Sequence, residues 1–128
     1  MVDTKTIDNL TWLAINAYHE ARSEPDEGIK AVCHVVLNRA EARKLSVAEV
    51  VLQPWQFSWA NKGARPPITD YASLQRCLRL AAETVAERLQ GKNLWGADHY
   101  YAEYITQPGW AGKMKRICQI GRHIFFRA

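Results

Sequence analysis

Residues 26–42 read Asp26-Glu27-Gly28-Ile29-Lys30-Ala31-Val32-Cys33-His34-Val35-Val36-Leu37-Asn38-Arg39-Ala40-Glu41-Ala42. Ile29, Val32, Cys33, Val36, Leu37 and Ala40 recur at three- and four-residue steps, the period of one helix face. Ala31 and Val35 make much of the other side apolar too. A helix with so little polar circumference belongs at the centre of a domain, with other elements packed around it. Ser23 is the expected cap before it, and Pro25 is tolerated in a first turn.

Upstream, Ile7, Leu10, Leu13, Ala14, Ala17 and Ala21 form one apolar stripe, which predicts a helix from about Thr6 to Ala21. Asp8 in its first turn suits the positive end of the helix dipole. Downstream, Ser46-Val47-Ala48-Glu49 is a capping-box pattern that opens a short helix through Leu52, and Pro54 ends it. Thr69 or Asp70 can cap a fourth helix whose buried face is expected at Leu74, Leu78, Ala81, Val85 and Leu89. Arg76, Arg79, Glu83 and Glu87 should point outward, and Gly91 is the natural stop. Three short strands are expected at His99-Tyr100-Tyr101, Ile117-Cys118-Gln119-Ile120 and Ile124-Phe125-Phe126. A helical turn is expected between Trp110 and Lys115. The pattern reads as an α+β domain, mainly helical, with a small sheet.

The length of 128 residues fits a single domain over 1–128 with a core that needs no staples. Three cysteines, Cys33, Cys77 and Cys118, are odd in number and lack paired spacing, which argues against a disulfide framework or a zinc site of CxxC pairs. No apolar run approaches the roughly 20 residues needed to cross a bilayer, so membrane insertion is not expected. The first residues are polar and partly acidic, without the basic start and apolar stretch of a secretory signal. Lys and Arg total 17 against 13 Asp and Glu, a formal charge of +4 that favours an anionic partner. The excess gathers late, at Lys113, Lys115, Arg116, Arg122 and Arg127.

Glu20 is the residue with chemistry to offer. At about 100° per residue it falls beside Leu13 and Ala17, on the border of the apolar stripe. A carboxyl there is partly desolvated, which disfavours its charged form and raises its pKa, as a general acid at neutral pH requires. The competing reading is a helix-end glutamate paired with Arg22 or a lysine. His19-Glu20 is not a zinc motif, because HExxH needs a second histidine where Ser23 stands. No other histidine spacing suggests metal ligands, and no cofactor is expected. There is no GxSxG, the cysteines lie on apolar faces or in an apolar run, and phosphate-cradling glycine loops are absent.

Aromatic residues gather in two loop-like regions. Trp55, Phe57 and Trp59 lie in one; Trp95, Tyr100, Tyr101, Tyr104 and Trp110 lie in the other. Ring faces suit the apolar faces of sugars, and Gln56, Ser58, Asn61 and Gln107 could bond hydroxyl and acetamido groups. The same rings beside basic residues could stack nucleobases, and a core built from irregular segments is the bland alternative.

In order along the chain, Tyr18-x-Glu20-Ala21-Arg22-x-Glu24-Pro25, Gly28, Val35-Val36-Leu37-Asn38-Arg39 and Gln56-Phe57-Ser58-Trp59 resemble the cell-wall hydrolase family of spore-cortex-lytic enzymes. Gly96-Ala97-x-His99-Tyr100, Pro108-x-Trp110-Ala111 and Ile120-Gly121-x-His123-Ile124-Phe125-Phe126-Arg127 continue the match to the end. The resemblance implies a lysozyme-like domain and a lytic transglycosylase acting on peptidoglycan at the bond from N-acetylmuramic acid to N-acetylglucosamine. It places the catalytic glutamate on Glu20. Gln56, Phe57, Ser58, Trp59, His99, Tyr100, Tyr101 and Trp110 become the expected substrate-binding set, with no metal.

Two departures from the family pattern stand out. Ser23 replaces the usual glycine after Ala-Arg. Asp98-His99-Tyr100-Tyr101 stands where Thr-His-Tyr or Thr-His-Phe followed by His is common. Asp98 could activate water and make the enzyme a hydrolase instead, while Glu24 is expected to be mainly structural. A non-catalytic glycan-binding or virion structural domain and a nucleic-acid binder are the rivals from other classes; nucleic acid is not the expected partner. The economical setting is a monomeric phage lysin, made in a bacterial cytoplasm and carried to the wall by another route such as a holin, or a virion-associated lysin.

Overall fold

The structure, a computed structural model, describes residues 3–53, 56–57, 59–60 and 66–128. Four helices come first: α1 (Thr4–Ala21), α2 (Asp26–Arg43), α3 (Val47–Leu52) and α4 (Tyr71–Leu89). Three strands follow, β1 (His99–Ala102), β2 (Lys115–Ile120) and β3 (His123–Arg127). A 3-10 turn at Gly109–Lys113 carries Trp110 between β1 and β2. None of the described helices is long and apolar enough to cross a membrane.

Helix α2 is the central element, in contact with α1, α3, α4 and β2. Ile29, Ala31, Val32, Cys33, Val35 and Val36 are all essentially without exposure, on both sides of the helix. Its start differs from expectation. Ser23 is exposed, and Pro25 is the cap residue, with no side-chain cap bond. Asp26 and Glu27 in the first turn supply the favourable charge instead. Lys44 closes the other end in the left-handed conformation, its N–H reaching the carbonyls of Ala40 and Glu41.

Helix α1 also starts earlier than its stripe implies. Asp3 caps it by accepting from the Thr6 amide at 2.8 Å, so Asp8 lies beyond the first turn, and Ile7 is 54% exposed. The capping box of α3 is complete: Ser46 Oγ and Glu49 Oε1 each accept the other's backbone N–H at 3.0 Å. Asp70 caps α4 through the Ser73 amide.

The buried face of α4 is rotated from the leucine stripe. Cys77, Leu80, Ala81 and Thr84 are buried, whereas Leu78 is 41% and Leu89 87% exposed. Packing explains the choice. Helix α4 lies against both α1 and α2, and small side chains at positions 77, 81 and 84 let the backbones approach. Thr84 can enter the core because its hydroxyl donates to the Leu80 carbonyl at 2.8 Å. Arg76 does not simply point outward. Its guanidinium donates to Asp26 and to the carbonyls of Arg22 and Glu24, pinning the turn between α1 and α2. Arg79 and Glu83 do pair, at 3.1 Å.

The sheet is antiparallel in the order β1-β3-β2. His99 pairs with Phe126 and Tyr100 with Phe125, so alternation divides the rings between two faces. Phe125 is fully buried against the helices. At the β2–β3 turn, Gly121 has φ +57, and a Cβ there would lie 2.7 Å from Glu24 Oε1 and 3.0 Å from Pro25 Cδ. Glu24 is buried and accepts from the Arg122 amide at 2.8 Å, so the helix corner and the hairpin are locked together at this point. Gly121→Ala should therefore cost about 1–3 kcal/mol, combining backbone strain with the clash. Thermal unfolding should show a midpoint lower by roughly 5–10 °C for a chain of this size; an unchanged midpoint would mean that the turn is not tight.

Candidate active site

Glu20 stands in the last turn of α1 with its carboxyl half-buried, and its Oε1 accepts a hydrogen bond from the Tyr100 hydroxyl. The two residues come from elements far apart in the chain, and α2 is what brings them together. Asn38 donates to the carbonyls of Asn93 (2.9 Å) and Ala97 (2.8 Å), while Arg39 Nε donates to the Asp98 carbonyl at 2.7 Å. Those bonds fix the segment leading into β1, so Tyr100, second in that strand, faces the helices. Its ring packs on Phe125 and His123, with centroids 5.5 and 4.9 Å away.

Burial pushes the Glu20 carboxyl above the ordinary glutamate range. The Tyr100 hydrogen bond and the positive charge of Arg39 pull the other way without cancelling it. No carboxylate is among the groups that shift it. Tyr100 in turn is raised well above an ordinary tyrosine, by burial first and then by the negative charge of Glu20. Its phenol keeps its proton and remains a donor. The pair is thus a carboxyl whose charged form burial disfavours, beside a hydroxyl that donates to it.

Arg39 is the site residue that pattern reading did not single out. It is 7% exposed, and besides the Asp98 carbonyl it donates to Gln56 Oε1 at 3.3 Å, with its guanidinium carbon 5.3 Å from the Phe57 ring centroid. The signal was available in its phase: position 39 follows Val35 and Val36 by four and three, on the buried side of α2. A charged residue at a core position needs a reason, because charges are rarely fully buried unless paired.

The remaining expected site residues have four different fates. Phe57 and Trp59 are 2% and 9% exposed, so both rings belong to the core rather than to an open stacking surface. Trp59 donates to the buried Asn16 Oδ1 at 2.9 Å and stacks on His19 at 4.5 Å. Gln56 is half-buried, its carbonyl oxygen taken by Arg39 and Arg43. Ser58, with Trp55 and Asn61, lies outside the described residues. His99, Tyr101 and Trp110 gather with Phe126 on the side of the sheet away from Tyr100. Trp110 stands 5.1 Å from His99, 5.9 Å from Tyr101 and 5.4 Å from Phe126.

The two other acids are engaged. Asp98 Oδ1 accepts from the Ala128 amide and meets His99 Nδ1, both at 2.9 Å. Glu24 holds the Arg122 amide and faces His123 Nδ1 at 3.5 Å. No group of three or more His, Cys, Asp or Glu suited to a metal occurs among the described residues. Among the described residues, two cavities of about 650 and 330 Å³ border Trp95, and Glu20 lines neither.

A family model described as Cell Wall Hydrolase matches residues 23–126, a span that begins just after Glu20. A spore cortex-lytic enzyme of Halalkalibacterium halodurans is 29% identical over 121 residues, covering 92% of this chain and 34% of the relative. The chain spans 34 to 41% of the length of the curated relatives it matches. Among solved structures, the catalytic domain of the Bacillus cereus SleB protein superposes with a TM-score of 0.74 at 21% identity, covering 98% of both chains. The catalytic domain of the germination-specific lytic transglycosylase SleB from Bacillus anthracis gives 0.74 at 22%, covering 98% of this chain and 97% of the other. These two likenesses establish the fold.

The raised pKa of Glu20 has a stability consequence. A carboxyl whose folded pKa exceeds its unfolded one binds more protons when folded across the interval between them, so stability falls as pH rises through it. Glu20→Gln should accordingly melt above the wild type at pH 8. The gap should close as pH falls below the ordinary glutamate value of 4.5. Thermal melts of both proteins at pH 8 and pH 4 check this, and an equal gap at both would show the carboxyl to be unperturbed.

Proposed function

Since the chain belongs to the cell wall hydrolase family, we propose that it cleaves peptidoglycan glycan strands as a lytic transglycosylase with Glu20 as both acid and base. The observation that carries this is the setting of Glu20: one carboxyl with a raised pKa, bonded to Tyr100, with no other carboxylate acting on it. The likeness to spore cortex-lytic enzymes and to the catalytic domain of a lytic transglycosylase supports the same chemistry.

Protonated Glu20 gives its proton to the oxygen between N-acetylmuramic acid and N-acetylglucosamine as that bond breaks. The substrate's own acetamido group stabilises the oxocarbenium-like centre. Glu20, now ionised and held by Tyr100 and Arg39, takes the proton from the muramyl 6-hydroxyl. That oxygen closes on the anomeric carbon and leaves a 1,6-anhydro end. The proton count balances, with no water consumed and no second carboxylate required. The water-adding alternative would employ Asp98, whose Oδ1 is already engaged by Ala128 and His99. The protein would act at the cell wall as a monomer, its positive charge favouring the anionic envelope.

Glu20→Gln should reduce clearing of purified walls by about 10²–10⁴-fold, the usual worth of general acid–base catalysis. Equal clearing by both proteins would remove Glu20 from the mechanism. Mass analysis of wild-type digests should find fragments one water lighter than reducing-ended ones; reducing ends alone would establish hydrolysis instead. Tyr100 is a positioning residue on this scheme. Tyr100→Phe removes a group that lowers the Glu20 pKa, so the alkaline limb of the kcat/KM profile should move to higher pH while kcat falls. A lower rate with an unmoved limb would leave Tyr100 a packing role only.

A further inference from the structure

The late cluster of cations has no part in the chemistry of Glu20. Lys115 and Arg127 are direct cross-strand partners in β2 and β3, and Arg116 follows at once. Like charges placed opposite one another destabilise a sheet. Among the described residues none of the three forms a salt bridge, and all are exposed. They line the cavity of about 330 Å³ together with Trp95, Ile117 and Cys118, without a carboxylate.

That cavity is built rather than incidental. Arg127 Nη1 donates to the Trp95 carbonyl at 3.2 Å, and its stem lies against Gly96, where a Cβ would come within 3.2 Å of Arg127 Cδ. Trp95 is held at φ +52, a conformation that non-glycine residues rarely adopt, with its side chain 69% exposed. Lysines on an edge strand discourage strand addition. That purpose requires neither a pinned arginine nor an indole wall.

Trp95 also borders the second cavity, of about 650 Å³, whose character is different. Ala31, Leu94 and Ile120 give it apolar walls, and its charges are mixed: Glu27 and Glu87 both pair with Lys30, and Lys92 stands at the border. Strand β2 passes both cavities, Lys115 to Cys118 at the small one and Ile120 at the large one. At roughly 3.3 Å per residue that run is roughly 16 Å, the reach of an extended peptide of four or five residues.

We propose that the paired cavities around Trp95 are a secondary binding site for a short peptide carrying free carboxylates and small apolar side chains, namely the peptide stem of the wall. The carboxylate sits among Lys115, Arg116 and Arg127, where planar guanidinium groups suit it. Small apolar side chains cross the Trp95 ring toward the apolar walls of the larger cavity. A phosphate polymer would suit the cationic cavity alone and gain nothing from the apolar walls of the next. The choice of a wall peptide rests on the proposed substrate class, whereas the charge layout does not.

Calorimetric titration of the wild-type protein with the free tetrapeptide L-alanyl-D-glutamyl-diaminopimelyl-D-alanine tests this. The peptide should bind, with affinity falling as salt is raised. The same peptide with its carboxyls amidated, and the Arg116→Glu and Trp95→Ala variants with unaltered melting, should each bind at least about ten-fold more weakly, the loss expected of a charge-assisted or desolvated contact. No binding, equal binding of the amidated peptide, or binding of a teichoic acid chain or DNA in preference to the tetrapeptide would overturn it. No bond is cut in this measurement. Binding without wall clearing would sink the catalytic reading and leave this one standing, and clearing without binding would do the reverse.

Discussion

The buried guanidinium of Arg39 is the constraint around which the site is assembled. A charge taken out of water is costly unless its donors are satisfied and an opposite charge lies near. Arg39 meets that demand with the Asp98 carbonyl, the Gln56 side chain, the face of Phe57 and the negative charge available at Glu20. Each partner belongs to a different segment, so satisfying one side chain fixes the approach to β1, the residues after α3 and the end of α1 at once. Asn38, next to it, adds two bonds to the same approach and accepts one from Arg88 of α4.

A second lock works at the opposite end of α2. Glu24 and Pro25 leave no room for a Cβ on Gly121, and Glu24 takes the Arg122 amide. The β2–β3 hairpin is thereby attached to the corner between α1 and α2, and Arg76 secures the same corner from α4. With both ends of the sheet tied to the helices, Tyr100 is delivered to Glu20 with little freedom. Such rigidity suits the proton transfer proposed for this pair, because geometry comes before pKa in general acid–base work. The cost is a carboxyl held in surroundings that disfavour its charge, a common trade between stability and activity.

The aromatic residues show how one composition serves three ends. Phe57 and Trp59 complete the core, Tyr100 and Phe125 line the inner face of the sheet, and Tyr101, Trp110 and Phe126 stack on its outer face. Among the described residues, Tyr100 is the ring that hydrogen-bonds to the candidate acid.

Local chemistry was enough to read the helices, the α3 capping box, the three strands and the border position of Glu20. Helix period, caps and strand alternation act between residues a few places apart, and those distances are visible in a linear chain. The family motifs likewise direct attention to Glu20, whose role is the proposal made above. What the linear chain did not contain was the direction in which faces turn. Helix α4 buries Cys77, Leu80, Ala81 and Thr84 rather than Leu78 and Leu89 because two neighbours share one face, and small side chains at three of those four positions admit both. The division of the rings depends on the β1–β3 register, and the meeting of Glu20 with Tyr100 depends on Arg39 binding a carbonyl 59 residues away. Partners at that separation are chosen by packing and by the need to satisfy buried charge, which no local pattern records.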